Sequence, residues 1–99
     1  MKLNELLANK NKEDTVHVLV GTAHGMIKTI YSGTVDQIMG IEGLEDLNVF
    51  DSAKNSRKEL VIMALMQADW DLLTDMEPDE RDFADTLIHK NLQYKAYSM

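Results

Sequence analysis

Cysteine is absent from this chain, and proline and long apolar runs are scarce. Without cysteine the chain can form neither a disulfide framework nor a thiolate metal site, which favours a location in the reducing cytoplasm. The longest apolar run, Leu60 to Met66, is far too short to span a bilayer. The first residues, Met1 to Leu7, lack the long apolar segment and small-residue cleavage site of a signal peptide. We therefore expect a cytoplasmic protein that does not insert into membranes.

Basic residues are also in short supply, because 10 Lys and Arg stand against 17 Asp and Glu, for a formal net charge of −7. This charge repels nucleic-acid phosphates and anionic lipid, so it argues against direct nucleic-acid binding and leaves basic proteins as partners. Hydrophobic residues make up 44% and charged residues 27% of the chain, which is typical of a globular protein. A length of 99 residues predicts one domain spanning positions 1–99.

The strand signals come in two pairs. From Thr15 to Val20 the pattern alternates, with Val16, Val18 and Val20 on one face, and Met26 to Tyr31 follows with β-branched and aromatic content. The connection from Gly21 to Gly25 suits a hairpin loop because its glycines can adopt positive φ. The Ser32-Gly33 pair is expected to end the second strand.

The second strand pair is predicted at Leu47 to Phe50 and Glu59 to Met66, around the polar loop Ser52 to Lys58. The run from Leu60 to Met66 shows no alternation. Continuous apolar residues are typical of a strand that is covered on both faces. We therefore expect this strand in the interior of the sheet, and an apolar helix is the alternative.

Two short helices are predicted in the first half of the chain. Leu3, Leu6 and Leu7 have the i, i+3, i+4 spacing of one apolar helix face. Thr34 and Gln37 match a capping box, in which the threonine side chain accepts from the third helical amide and the glutamine reaches back. A short helix should therefore begin directly after the first hairpin.

A longer amphipathic helix is predicted near the end of the chain. Pro78 is suited to a first helical position, and acidic residues around it favour the positive end of the helix dipole. The spacing predicts a helix over Asp79 to Tyr94, with Phe83, Leu87 and Ile88 packed against the sheet.

These elements predict a single α+β domain. Its core is a four-stranded sheet made from two hairpins with a short helix between them, and a short N-terminal helix and the longer C-terminal helix complete it. The order ββαββ is compatible with a β-grasp-like sheet or with an antiparallel meander, and the sequence does not choose between them.

The stretch Ile30-Tyr31-Ser32-Gly33-Thr34 belongs to a wider layout: a leucine-bearing opening helix, an apolar strand, this segment leading into a short helix, and a closing hairpin. In that layout residues 1 to about 66 resemble small uncharacterised proteins encoded by phages and prophages of Gram-positive bacteria. The resemblance implies an accessory role in a mobile element and transfers no catalytic residue. The segment from Gln67 onward lies outside it.

No residue pattern indicates catalysis or cofactor binding. The three histidines, His17, His24 and His89, have no pair at the i, i+4 spacing of a helical metal site. His89 follows Asp85 by four residues, which predicts a surface ion pair. A nucleophile-elbow sequence is missing, and the glycine-containing loop lacks the lysine and length of a phosphate-binding loop. We therefore expect a non-enzymatic protein without metal or cofactor.

The most unusual feature is the placement of acidic residues. Within 17 positions eight acids stand against Arg81 alone, whereas residues 1–65 have nine acids and seven bases. This acidic segment, together with a tryptophan that is either a recognition anchor or a cap on the core, is the candidate partner-binding site: Asp69, Trp70, Asp71, Asp75, Glu77, Asp79, Glu80, Asp82 and Asp85. The segment is either a solvated helix start that keeps the protein soluble or a binding surface for a basic protein.

Several functions therefore stay open. The main hypothesis is a small interaction protein that binds a basic, nucleic-acid-binding protein, in one version by mimicking phosphates. A small-molecule-binding module or minor enzyme would need a pocket lined by His17, Tyr31 or Trp70. A structural homo-oligomer would need an exposed apolar patch, and Met26, Met39 and Met76 are either core residues or parts of such an adaptable surface.

Overall fold

The computed structural model describes residues 1–99 as an α+β unit with four helices and one four-stranded mixed sheet. The strands are β1 (Thr15–Gly21), β2 (Ile27–Thr34), β3 (Asn48–Lys54) and β4 (Leu60–Leu65). The helices are α1 (Leu3–Ala8), α2 (Val35–Met39), α3 (Gln67–Thr74) and α4 (Pro78–Ser98). The fold class predicted from the sequence is confirmed.

The strand order is β2-β1-β4-β3. Each hairpin is antiparallel, but the two central strands β1 and β4 run parallel, with Val18 opposite Ile62. The parallel central pair excludes the antiparallel meander and agrees with the β-grasp-like alternative. The interior position of β4 is confirmed, because it has a hydrogen-bonded neighbour on each side.

The sheet is covered on both faces because the central strands bury side chains in both directions. On one face, Val16, Val18 and Ile62 pack with α1 and α2 through Leu7 and Ile38. Thr34 and Gln37 form the predicted capping box at the start of α2. The strand β2 continues through Ser32 and Gly33, so the predicted strand end there is wrong.

On the opposite face the long helix α4 lies against β3 and β4. Its buried residues are spaced by four: Ala84, Ile88, Leu92 and Ala96. Ile88 is fully buried and Leu87 is half-buried, but Phe83 is 72% exposed, so the predicted docking through Phe83 is wrong. No helix combines the length and apolarity needed to cross a membrane.

The helix α3 was not expected from the sequence. It starts directly after β4, its N-cap Met66 makes no side-chain capping bond, and Leu73 is its one buried residue. Trp70 is half-buried and packs on the same core as α4. The predicted acidic segment therefore begins inside a helix.

Candidate functional site

The nine residues of the predicted partner-binding site all lie in α3, in the short connection after it, and in the first turns of α4. Asp69, Trp70 and Asp71 belong to α3, Asp75 is its C-cap, and Glu77 is the N-cap residue of α4. The structure therefore places the predicted residues along two consecutive helices and the short connection between them. It also divides them into two groups with different surroundings.

The α3 residues have contacts within the protein. The Asp69 carboxylate accepts a hydrogen bond from the backbone N–H of Ala23 at 3.2 Å, which ties α3 to the β1–β2 loop. The Asp71 carboxylate accepts from the side-chain amide of Gln67 at 2.8 Å. Since Trp70 packs on the core, these residues stabilise α3 and its docking.

The acids that follow point to solvent. Asp75, Glu77, Asp79, Glu80 and Asp82 are all exposed, and Asp85 is half-buried. None of them forms a salt bridge, since the three salt bridges of the molecule involve Glu59 and Asp51 as their acids. We call the five exposed acids the acidic face. Arg81 is the one basic residue among these acids and forms no salt bridge with them, so the face keeps a net negative charge that is available to an external cation.

An apolar groove adjoins the acidic face. It has a volume of about 410 Å³ and lies between the β1–β2 loop and α4. Its lining consists of three apolar side chains of α4, one methionine of the α3–α4 connection, one buried alanine and one histidine of the β1–β2 loop, and two acids: Phe83, Ala84, Leu87, Met76, Ala23, His24, Asp79 and Glu80. The groove was missed in the sequence because Phe83 was assigned to the core.

The loop wall of the groove is held in place by its own hydrogen bonds and by α4. The Thr22 side chain accepts from the backbone N–H groups of His24 and Met26 at 3.3 and 3.2 Å. Gly25 has a φ of +87°, and a Cβ there would lie 2.9 Å from the Leu87 side chain. The Asn91 side-chain amide also donates to the Gly25 carbonyl. The groove is therefore largely preformed.

A second polar cluster surrounds His17, which lies on β1 and is only 7% exposed. One ring nitrogen, Nδ1, lies 2.7 Å from the Ser32 hydroxyl, and Nε2 lies 3.0 Å from Glu59 Oε1. Asn55 donates to the same carboxylate oxygen at 2.8 Å, and Arg57 Nε lies 3.3 Å from it. The cluster joins β2, β1 and the β3–β4 loop.

The environment of Glu59 stabilises its charged form. The hydrogen bond from Asn55, followed by that from His17 and the nearby Arg57 charge, holds the pKa of the Glu59 carboxyl below its usual range. Serine, histidine and glutamate are thus in contact, as in a hydrolytic triad. However, neither Ser32 nor His17 lines any of the five main cavities, and only Glu59 and Asn55 of the cluster border one, so the serine and histidine do not face a substrate-sized space.

Of the other two histidines, His89 differs from the sequence interpretation and His24 agrees with it. His89 does not pair with Asp85, because its Nδ1 lies 2.7 Å from the Asp51 carboxylate on β3. Its ring also contacts Phe50, with centroids 4.9 Å apart. His24 lies in the β1–β2 loop as expected, at the rim of the groove.

The pocket required by the small-molecule alternative is not formed from its expected residues. Tyr31 packs on the α1–α2 side of the sheet and Trp70 on the α4 side, and neither lines a main cavity with His17. No group of three or more His, Asp or Glu side chains has a geometry that could hold a metal ion. No family model matches the chain, and no curated protein or solved structure matches it either.

Proposed function

We propose that the protein is a non-enzymatic interaction protein of the cytoplasm that binds a basic partner through its acidic face. The observation that supports this proposal is the set of five exposed acids, Asp75 to Asp82, none of which has a salt-bridge partner. An accessory role in a phage or prophage, with a nucleic-acid-binding protein as the target, fits the acidic character and the layout of residues 1 to about 66.

The acids exceed what the helix itself requires. A helix N-terminus attracts negative charge within its first turn, where Asp79 and Glu80 lie. Asp75 ends the preceding helix, where a negative charge opposes the helix dipole, and Asp82 lies beyond the first turn. Mutual repulsion among these carboxylates costs stability, and binding of a cationic surface would relieve it.

The first prediction concerns the rate of association. Replacing Asp79, Asp82 and Asp85 with asparagine should slow binding to a basic partner by about tenfold at low salt, because charge steering acts mainly on the on-rate. The partner is obtained by affinity capture from a bacterial lysate, and the association rate is then measured by surface plasmon resonance across a range of salt concentrations. The variant should also show a flatter salt dependence.

The matched control replaces Glu5, Glu13 and Glu42 with glutamine. These exposed acids lie outside the acidic face, and the control removes the same number of charges. It should associate nearly as fast as the wild type, which separates a local surface from the effect of net charge. Equal on-rates for the wild type and the Asp79, Asp82 and Asp85 variant at low salt would refute the proposal.

Phosphate mimicry by the acidic face can be tested with the same captured partner. If the acidic face imitates phosphates, duplex DNA should compete with it for a DNA-binding partner. Simultaneous binding of DNA and this protein would remove mimicry and leave a general acidic interface.

A further inference from the structure

We infer that the apolar groove beside the acidic face receives one large apolar side chain from a lysine- or arginine-rich segment of the partner. This inference rests on the proposed function and adds the chemical class of the segment that is recognised. We therefore expect that positive charge on the partner segment is not sufficient for tight binding. An apolar side chain of that segment must also enter the groove between the β1–β2 loop and α4.

The exposed apolar surface is the first argument. Phe83 is 72% exposed although it is among the largest apolar side chains of the molecule, and it lines the same groove as Met76 and Leu87. The groove volume of about 410 Å³ is in the range of ligand-binding clefts. An exposed apolar surface that is bordered by charged groups is typical of an interaction site.

Preorganisation is the second argument. The groove floor is fixed from both sides, since Ala23 is fully buried and its backbone N–H is bound by Asp69, while Gly25 lies directly against Leu87. A partner that enters this groove therefore does not have to order the loop. Less conformational entropy is lost on binding to a surface that is already formed.

Charge complementarity identifies the occupant. The groove has Asp79 and Glu80 on its rim, and neither carboxylate has a cationic partner in the protein. An apolar side chain in the groove would place the flanking residues of its own chain beside these acids, where Lys or Arg is favoured. A second copy of this chain is a poor occupant, because both copies have a net charge of −7.

The test uses two synthetic peptides of equal charge. One is a short lysine-rich peptide with a single central leucine, and the other has serine in place of the leucine. Affinities are measured by isothermal titration calorimetry with the full chain, and amide chemical shifts locate the site. The leucine peptide should bind at least about tenfold more tightly and should shift the amides of Ala23, Phe83 and Leu87.

Phe83→Ala should abolish most of the difference between the peptides, and it should fold because the side chain is exposed. Tyr94→Ala is the matched control, since Tyr94 is an equally exposed aromatic residue of α4 that does not line the groove. Equal affinity for both peptides would overturn the groove inference and leave the acidic-face proposal standing. Failure of both peptides to bind at low salt would overturn the inference and count against the proposed function as well.

Discussion

At the scale of single residues, His17 shows how a polar side chain is accommodated in a central strand. Burial of an imidazole without hydrogen bonds would be costly, but both ring nitrogens of His17 have partners. An ionised Glu59 can only accept hydrogen bonds, so His17 Nε2 is the donor to it. In the neutral ring Nδ1 then accepts from the Ser32 hydroxyl, which fixes the tautomer.

This arrangement predicts that the folding stability of the protein depends on pH. Because the folded-state pKa of Glu59 lies below its value in the unfolded chain, the stabilisation is fully present above the ordinary glutamate pKa of about 4.3. This stabilisation is lost as the pH falls through the lower folded-state pKa of Glu59. Glu59→Gln should therefore destabilise the protein at pH 6 to 7, and the difference from the wild type should shrink toward about pH 3.

The measurement is urea denaturation of both proteins at a series of pH values. Glu42→Gln is the control for loss of one carboxylate, because the Glu42 side chain is exposed and makes no hydrogen bond in the structure. A gap between wild type and Glu59→Gln that stays constant from pH 7 to pH 3 would show that the Glu59 charge contributes nothing to folding through this cluster.

At the scale of elements, the packing of α4 on the sheet buries some of its large apolar residues and leaves others exposed. Ile88 is fully buried, whereas Phe83 on the same helix is largely exposed. Ile88→Ala should lower the free energy of unfolding by about 2 to 5 kcal/mol, because it removes buried methyl groups and leaves a cavity. Phe83→Ala should cost less than about 1 kcal/mol. Chemical denaturation of the two variants checks this, and a larger loss for Phe83→Ala would contradict the observed orientation of the helix.

The orientation of α4 was hard to predict because two of its buried positions, Ala84 and Ala96, have small side chains. A hydrophobicity plot gives more weight to Phe83 and Tyr94, although both are exposed in the structure. Alanine allows the helix to approach the sheet closely, which an apolar-stripe argument does not register. The groove was missed for the same reason, since an exposed Phe83 is visible only once the helix has been oriented.

Other element boundaries show which local sequence signals are sufficient to predict where a helix or a strand begins or ends. The capping box of Thr34 and Gln37 was recognised because both hydrogen bonds are local and its residue spacing is specific. Gly33 did not end β2, because it pairs with Val16 and leaves room for the Gln37 side chain to reach over it. The helix α3 has no side-chain cap and one buried residue, so its formation depends on packing rather than on a sequence pattern.

At the scale of the whole molecule, the sequence predicted every element except α3, and the interior position of β4, but not the sheet order. The choice between a meander and a β-grasp-like sheet depends on whether β1 pairs with β4, a contact between residues that are distant in the chain. Both central strands have apolar side chains on both faces, such as Val18 with Leu19 and Ile62 with Met63. This double burial makes the parallel pairing favourable, because both faces are covered by helices.

The same double burial predicts that the two helical layers unfold together. Ile38 belongs to the α2 layer, and Trp70 belongs to the core on the opposite face. Since β1 and β4 supply side chains to both cores, loss of packing on one face weakens the strands on which the other depends. Ile38→Ala should therefore lower the urea midpoint of Trp70 fluorescence by the same amount as that of far-ultraviolet circular dichroism. If the Trp70 transition kept its wild-type midpoint while the circular dichroism transition shifted, the layers would be separate cooperative units, and the shared strands would not couple them.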